Sequence, residues 1–355
     1  MKKRIAVVPG DGAGIEVIRE AVKVLRALGP AASHELELTE FDWGAERFLR
    51  DGVSLPEGAL EMLERDFDAI LLGALGDPRL PDNKYAMEIL FGFRFGLDLY
   101  ANIRPVKLLH PSLNPLQKPE RIDFVIYREN TEGLYARLGG TFKQGTRDEV
   151  GIQQDLNTWK GVERIMRFAF DCARGHGRKR LVMCDKSNAL PHAHGVWQRV
   201  FKTMREEYPD IDSRHIYVDN LAFQMIRDPS QFEVIVTCNM FGDILSDEGA
   251  ALVGGLGVTP SANVNPERVS MFEPVHGSAP DIAGKNLANP VGAVLTAAMM
   301  LEHLGMTKEA AVIEEAVRAS IAEGKTTRDL GGALGTREVG DWLANRVAAA
   351  RAHSR

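Results

Sequence analysis

Val234-Ile235-Val236-Thr237 runs, through Cys238, into Asn239-Met240-Phe241-Gly242-Asp243-Ile244-Leu245-Ser246-Asp247, and this junction decides the class of the fold. Four apolar or β-branched residues in succession read as a strand buried on both faces. The segment after Cys238 reads as the start of a helix, in which Asp243 and Asp247, four positions apart, share one face. A buried strand that delivers a helix is the unit of a parallel α/β sheet. Working outward, the unit recurs: a strand at residues 5–8 precedes a helix over about 16–28, and further strands fall at Ala69–Leu72, 124–126 and 181–183. The helix after Thr158 carries Val162, Ile165, Met166, Ala169 and Cys172 on one stripe, which is a core face.

Residues 133–155 break this alternation with glycines at 133, 139, 140, 145 and 151, so an extended arm or hairpin suited to a dimer contact is expected there. Helix returns at 308–322, then a glycine loop at Gly331-Gly332, then a last helix through Trp342 and Val347. No internal repeat is found.

With 355 residues the chain can fill two lobes without a disulfide or structural metal. A formal charge of −6 argues against a nucleic-acid binder that neutralises many phosphates, while leaving room for a local basic pocket that takes a small anion. Cys172, Cys184 and Cys238 are odd in number and form no CxxC pair, which fits buried free thiols in a reducing cytoplasm. The basic start Met1-Lys2-Lys3-Arg4 is followed by an apolar run that stops at Pro9-Gly10-Asp11, too short for a signal peptide. The expectation is a cytoplasmic protein with no membrane partner, because no window approaches the roughly 20 apolar residues of a span.

Facing carboxylates at 243 and 247 repel unless a cation lies between them, and oxygen ligands suit Mg2+ or Mn2+ rather than zinc. Taken alone, such a pair is more often a solvated or capping arrangement. The stretch 239–247, however, resembles the signature of the metal-dependent β-decarboxylating dehydrogenases, the family of isocitrate, 3-isopropylmalate, homoisocitrate and tartrate/D-malate dehydrogenases, and the similarity extends from Ala6 almost to the C-terminus. The resemblance implies an isopropylmalate-dehydrogenase-like α/β fold: two lobes, a large mixed or parallel sheet, helices on both faces and a protruding dimer arm. It implies a cofactor lobe from 1–102 plus 255–355 and a central dimerisation and catalytic lobe from 103–254. It further implies metal binding by Asp243, Asp247 and Asp219, with Asp219 placed by sequence at the end of the strand 216–218, and it has Asp219 and Lys186 supplied by the other subunit of a homodimer.

Arg128-Glu129-Asn130-Thr131-Glu132-Gly133-Leu134-Tyr135 resembles the family segment that carries a substrate arginine and a catalytic tyrosine, and Asp185-Lys186-Ser187-Asn188 the one that carries a catalytic lysine. Hydride can leave C2 of a hydroxy acid only as the 2-hydroxyl loses its proton, so a base is needed, for which Lys186 is the candidate. Tyr135 would protonate carbon after carbon dioxide departs. Arg94 and Arg104 match two further family arginines, giving with Arg128 three guanidinium forks for a diacid. In isolation each of these residues would read as a packing residue, a surface charge or a structural ion pair.

The helix before Arg94 faces the group on C3 of the substrate in the family. Isocitrate enzymes place a serine and an asparagine there, whereas this chain has Glu88, Leu90 and Phe91, an apolar wall that disfavours isocitrate. Gly76-Asp77-Pro78-Arg79-Leu80-Pro81-Asp82, the 128–135 run and Ser261-Ala262-Asn263-Val264-Asn265-Pro266-Glu267 lean toward the tartrate/D-malate branch, and typical bacterial isopropylmalate enzymes have Leu-Thr-Gly-Gly where this chain has 130–133. Asn83-Lys84-Tyr85 after Asp82, Leu134, and Gly14-Ile15-Glu16 without its usual proline depart from the D-malate pattern. The reading is therefore oxidative decarboxylation of a malate-type diacid of the D-malate/tartrate kind, with 3-isopropylmalate as the alternative.

No GxGxxG follows a strand. Instead Glu273-Pro274-Val275-His276-Gly277-Ser278-Ala279-Pro280-Asp281-Ile282-Ala283-Gly284, followed by Asn289-Pro290, resembles the family's cofactor loop. The resemblance implies cofactor contacts from Glu273, His276, Gly277, Ser278, Ala279, Asp281, Ile282 and Asn289, and from Asn188. A carboxylate at 281 accepts from both ribose hydroxyls but repels a 2′-phosphate, so NAD is expected rather than NADP, with a monovalent cation such as K+ left open. Outside the family, Asp281 would read as a cap for a helix after Pro280. A regulatory paralogue without activity is the competing class, and it would be expected to have lost one of Tyr135, Lys186, Asp219, Asp243 or Asp247, all of which are present.

Overall fold

The computed structural model describes residues 2–29, 35–116 and 121–353; Met1 of the basic start lies outside them. The chain divides into two compact units, the first made of Met1–Leu99, Leu108–Pro119 and Ala250–Arg355, the second of Tyr100–Lys107 and Glu120–Gly249. The segment Leu108–Pro119 thus groups with the chain ends, not with the middle span of 103–254 expected from sequence.

The first unit opens with β1 (Lys2–Val8), α1 (Ala13–Ala27), β2 (Glu35–Glu40), α2 (Ala45–Asp51), α3 (Ala59–Asp66), β3 (Ala69–Leu72) and α4 (Lys84–Gly96). The second holds β4 (Ala101–Lys107), β5 (Asp123–Glu129), β6 (Gly139–Phe142), β7 (Val150–Gln153), α5 (Trp159–Gly175), β8 (Arg180–Asp185), α6 (Ala193–Glu207), β9 (Asp212–Tyr217), α7 (Val218–Arg227), β10 (Val234–Thr237) and most of α8 (Asn239–Leu252). The first unit then closes with β11 (Pro260–Val264), β12 (Ser270–Pro274), α9 (Val291–His303), α10 (Thr307–Ala322) and α11 (Thr336–His353).

Strands of the first unit lie in the order β2-β1-β3-β12-β11, parallel except for β11 against β12. Those of the second lie in the order β4-β5-β10-β8-β9, parallel except for β4 against β5. Residues 5–8, 69–72 and 234–237 are buried without interruption, as strands covered on both faces must be. In the first unit Ile70, Leu72, Ile89, Phe93 and Met271 share a core with Trp43 and Tyr85. In the second, α5 packs on β5, β8 and β10 through Val162, Ile165, Met166 and Ala169, all fully buried. Cys172, expected on that stripe as core, is only partly buried, while Cys184 and Cys238 are buried free thiols.

The arm is a two-stranded antiparallel hairpin, β6 with β7, rooted by a bridge between Gly133 and Leu156. Every residue of both strands is exposed. Among the described residues no helix is long and apolar enough to cross a membrane.

Candidate active site

In the second unit, buried cations stand behind exposed carboxylates. Arg128, at the end of β5, is 1% exposed, and its guanidinium donates from Nε and Nη2 to Asn239 Oδ1 at 3.1 and 2.7 Å. Its Nη1 pairs with Asp243 Oδ1 on the first turns of α8. Arg104, on β4, has Nη2 3.7 Å from the same oxygen and Nη1 3.9 Å from Asp247 Oδ1. It is held by Asn102 Oδ1 at 2.9 Å and Ser246 Oγ at 3.2 Å. Tyr135 donates its hydroxyl to Asp243 Oδ2 at 2.8 Å. Five of the residues singled out in the sequence, Arg104, Arg128, Tyr135, Asp243 and Asp247, therefore meet in one cluster.

The Asp243 and Asp247 side chains are 39% and 56% exposed against 7% for Arg104, so the carboxylates face outward over a cationic floor. Desolvation pushes the Asp247 carboxyl up and Asp243 adds to this, while Arg104 opposes. The all-oxygen donors of this outward-facing pair fit a hard divalent ion. Among the described residues no three His, Cys, Asp or Glu side chains collect as a metal site. Asp219 is not at a strand end as the sequence suggested. It lies in the first turn of α7, mostly exposed, because the chain turns helical at Val218, and it is ion-paired with Lys186, whose ammonium lowers its pKa.

Lys186 follows β8, in a turn organised by the fully buried Asp185. That carboxylate accepts from Ser187 N at 3.0 Å, Gln198 Nε2 at 2.7 Å and His215 Nε2 at 2.8 Å. Asn188 is exposed in the same turn.

The segment that carries Tyr135 is docked on α5. Glu132 accepts from Thr158 N at 2.8 Å and also from its hydroxyl, an anion at a helix start where the backbone dipole favours it. Glu129, 2% exposed, accepts from the backbone of Thr131 at 2.9 Å and of Glu132 at 2.7 Å, yet burial pushes its carboxyl up to about 7.

In the first unit, Arg94 on α4 donates to Glu273 Oε1 at 2.9 Å, and Asn263 Nδ2 donates to the same oxygen at 2.8 Å. Glu273, expected among the cofactor residues, is thus the partner that aims Arg94. Leu90 packs on the apolar core, and Phe91 stacks on Phe95 with centroids 5.4 Å apart. The loop 276–282 is pressed against the turn after β1: Ser278 O accepts from Ala13 N at 2.8 Å, and a Cβ on Gly12 would collide with that carbonyl. Only glycine fits there. Ala279 takes a left-handed φ of 39°. His276 is half-buried, with desolvation lowering its pKa, and its Nε2 has no hydrogen-bond partner, so the loop has polar capacity left for a ligand. Asp281 and Gly277 are exposed, Ile282 is half-buried, and no helix follows Pro280 for Asp281 to cap; Lys285 instead donates to its carbonyl at 2.7 Å. Asn289 spends one donor on Asp329 at 2.8 Å and one acceptor on Val291 N at 3.0 Å.

Sequence reasoning assigned no role to Asn239, Ser246, Asn102 or Gly242. A Cβ at 242 would lie 2.6 Å from Arg128 Cβ, so glycine lets the arginine lie along α8. Three of these lie inside the quoted metal stretch, and their signal was their position in it. Asn102 could be found only through its contact with Arg104.

A family model described as isocitrate/isopropylmalate dehydrogenase matches residues 4–343. The chain is 46% identical over 349 residues to a 3-isopropylmalate dehydrogenase of Corynebacterium urealyticum, covering 98% of this chain and 100% of that one. It is also 46% identical over 346 residues to a 3-isopropylmalate dehydrogenase of Streptomyces griseus, covering 97% and 98%. Among solved structures, an isocitrate dehydrogenase from Methylococcus capsulatus superposes with a TM-score of 0.88 at 36% identity, covering 98% of this chain and 99% of that one. A β-decarboxylating dehydrogenase from Thermococcus kodakarensis gives 0.79 at 35% identity, covering 97% and 96%.

Proposed function

The chain belongs to the isocitrate/isopropylmalate dehydrogenase family, and on that premise we propose that it oxidises and decarboxylates 3-isopropylmalate with NAD and Mg2+ or Mn2+, as a homodimer that shares its active sites. It is an oxidoreductase acting on a CH–OH group. The substrate is supported by relatives 43–46% identical over nearly the whole chain that carry the name 3-isopropylmalate dehydrogenase. They favour that alternative over the D-malate/tartrate reading, and the reason lies in which residues meet the substrate. The stretches that leaned toward D-malate are mostly loop sequence, whereas the helix expected to face C3 offers Leu90 and Phe91, an apolar surface suited to an isopropyl group.

The observation that carries the reaction class is the cluster of Asp243 and Asp247 over Arg104 and Arg128, with the Tyr135 hydroxyl on Asp243. Bound NAD would accept the hydride, and a divalent ion held by Asp243, Asp247 and a partner subunit's copy of Asp219 would polarise the hydroxyl and keto oxygens. Arg94, Arg104 and Arg128 grip the two carboxylates and orient C2. Lys186 of the partner subunit takes the 2-hydroxyl proton. Tyr135 delivers a proton to C3 after carbon dioxide leaves. Asp281 holds the adenosine ribose and excludes a 2′-phosphate. The exposed side chains of Phe142 and Ile152 on the arm, 66% and 58% accessible, supply the apolar surface of the dimer contact.

The test is NADH formation with 3-isopropylmalate, D-malate, tartrate, isocitrate and homoisocitrate, with NAD against NADP, and with and without a chelator. The highest kcat/KM is expected for 3-isopropylmalate with NAD, abolished by chelation. A higher value for D-malate overturns the substrate, and activity that survives chelation overturns the metal.

A further inference from the structure

One ring in the second unit has both nitrogens committed in opposite senses. His194, on the first turn of α6, is 1% exposed. Its Nδ1 accepts the backbone N–H of Lys186 at 2.8 Å, and its Nε2 lies 3.2 Å from Asp155 Oδ2. The amide of Lys186 can only donate, so Nδ1 must carry a lone pair. The carboxylate of Asp155 accepts, so Nε2 carries the proton. The bond from Lys186 and the approach of Nε2 to Asp155 are met together by one form of the ring, the neutral tautomer protonated on Nε2. Rotating the ring would leave the Lys186 amide without its acceptor. Its edge is closed off by Phe241 on α8, with centroids 5.3 Å apart.

The two ends of this link are places that matter to the chemistry. Lys186 heads a turn in which its carbonyl accepts from Ala189 N at 3.0 Å and Leu190 N at 2.8 Å, and His194 N in turn donates to Leu190 O at 2.9 Å. The residue is therefore fixed through its N–H and its C=O alike. Asp155 stands at the root of the arm, where a Cβ on Gly133 would lie 3.6 Å from its Oδ1 and Gly133 N donates to Leu156 O at 2.7 Å. Gly133 is two residues before Tyr135.

We propose that His194, fixed in one tautomer by the Lys186 amide, is a positioning residue that holds the backbone of Lys186 in a fixed frame relative to Asp155 at the root of the arm. The inference rests on the reading of Lys186 as the base of the proposed reaction. A lysine on a four-carbon stem reaches its target reproducibly only if its Cα is fixed, and a misplacement of about 1 Å at a reacting group can cost about a hundredfold in rate.

Three variants of the full-length enzyme test it. His194→Leu removes both bonds; His194→Asn offers an amide oxygen close to the Nδ1 position; His194→Gln reaches toward Asp155 instead. Hydrogen exchange at the Lys186 amide reads the bond directly, without substrate or cofactor. His194→Leu is expected to speed that exchange at least about tenfold and to lower kcat about tenfold to a hundredfold, with KM values for 3-isopropylmalate and NAD within about threefold. Asn is expected to restore both readouts further than Gln. Unchanged exchange in His194→Leu, a full kcat despite faster exchange, or equal behaviour of Asn and Gln overturns the proposal. If His194→Leu does not fold, the order of Asn over Gln decides. A wild-type enzyme silent on the whole substrate panel would refute the proposed function instead, while the exchange data would still report on the link.

Discussion

Glu129 shows how a single buried carboxyl ties stability to pH. Folded, it titrates at about 7 against 4.5 for an ordinary glutamate. Between those values the folded chain holds a proton that the unfolded chain has released, so this group's contribution to stability is largest below about 4.5 and falls as pH rises to 7. The melting temperature of the wild type relative to Glu129→Gln should therefore drop between pH 5 and 7.5, read by calorimetry. A flat difference would mean that the backbone bonds from Thr131 and Glu132 offset the burial. Tyr135→Phe should lower kcat by about 10²–10⁴ with KM little changed, the usual span for loss of a general acid. Asp247→Asn should raise the Mn2+ concentration for half-maximal activity by more than about tenfold, since even outer-shell changes near a metal cost about 10–100-fold. At this scale the legible residues were those whose chemistry is written in a family pattern. Glu273 was read as a cofactor residue because the pattern puts it in that loop, and nothing near it announced the bond to Arg94, which crosses 179 positions of chain. Burial and distant pairing leave no mark on local sequence.

Helices and strands differ in what they reveal. The strands at Ala69–Leu72 and Val234–Thr237 coincide with the apolar runs that announced them, because a strand covered on both faces excludes polar residues. The helix expected to begin near 16 begins at Ala13, since Gly12 offers no side-chain cap to mark the start. By contrast α5 begins where its cap says it should: Thr158 accepts from Gly161 N at 2.9 Å. Thr158→Ala should destabilise the protein by about 1 kcal/mol for the lost cap, more if Glu132 loses its anchor, as thermal unfolding would show. In α8, Gly242→Ala forces a methyl against Arg128. Overpacking of that kind typically costs about 1–3 kcal/mol, and because the displaced group is the arginine proposed to grip the substrate, KM for the diacid should rise as well. Unchanged KM would detach Arg128 from substrate binding. Asp219 was misplaced for an element-level reason: the β-branched and aromatic trio Ile216-Tyr217-Val218 looks like one strand, yet the last of the three already belongs to α7.

For the whole molecule, the number of subunits is the sharpest expectation. The hairpin strands are four residues each with no buried side chain, and an isolated two-stranded hairpin is marginal in water. If the proposed dimer forms through the arm, replacing Phe142 and Ile152 together by Asp should convert it to monomer in sedimentation and remove activity in step; a double variant that stays dimeric would move the contact elsewhere. The α/β class and the discontinuous use of the chain were legible, because strand–helix alternation and the family likeness run from end to end. The exact seam was not: Leu108–Pro119 lies between two strands of the second unit in sequence, yet groups with the first, and nothing in its composition says so.

That first unit is built from both ends of the chain. Its α1 packs on α11, and β3 pairs with β12, partners that emerge from the ribosome roughly 320 and 200 residues apart. The middle unit needs nothing made after Gly249. During synthesis the centre can therefore close first, while β1 to α4 wait with apolar faces uncovered until β12, α9 and α11 arrive. A nascent chain stopped after α8 should yield a protease-resistant core from the centre alone, and the N-terminal hundred residues should be the part that chaperones guard.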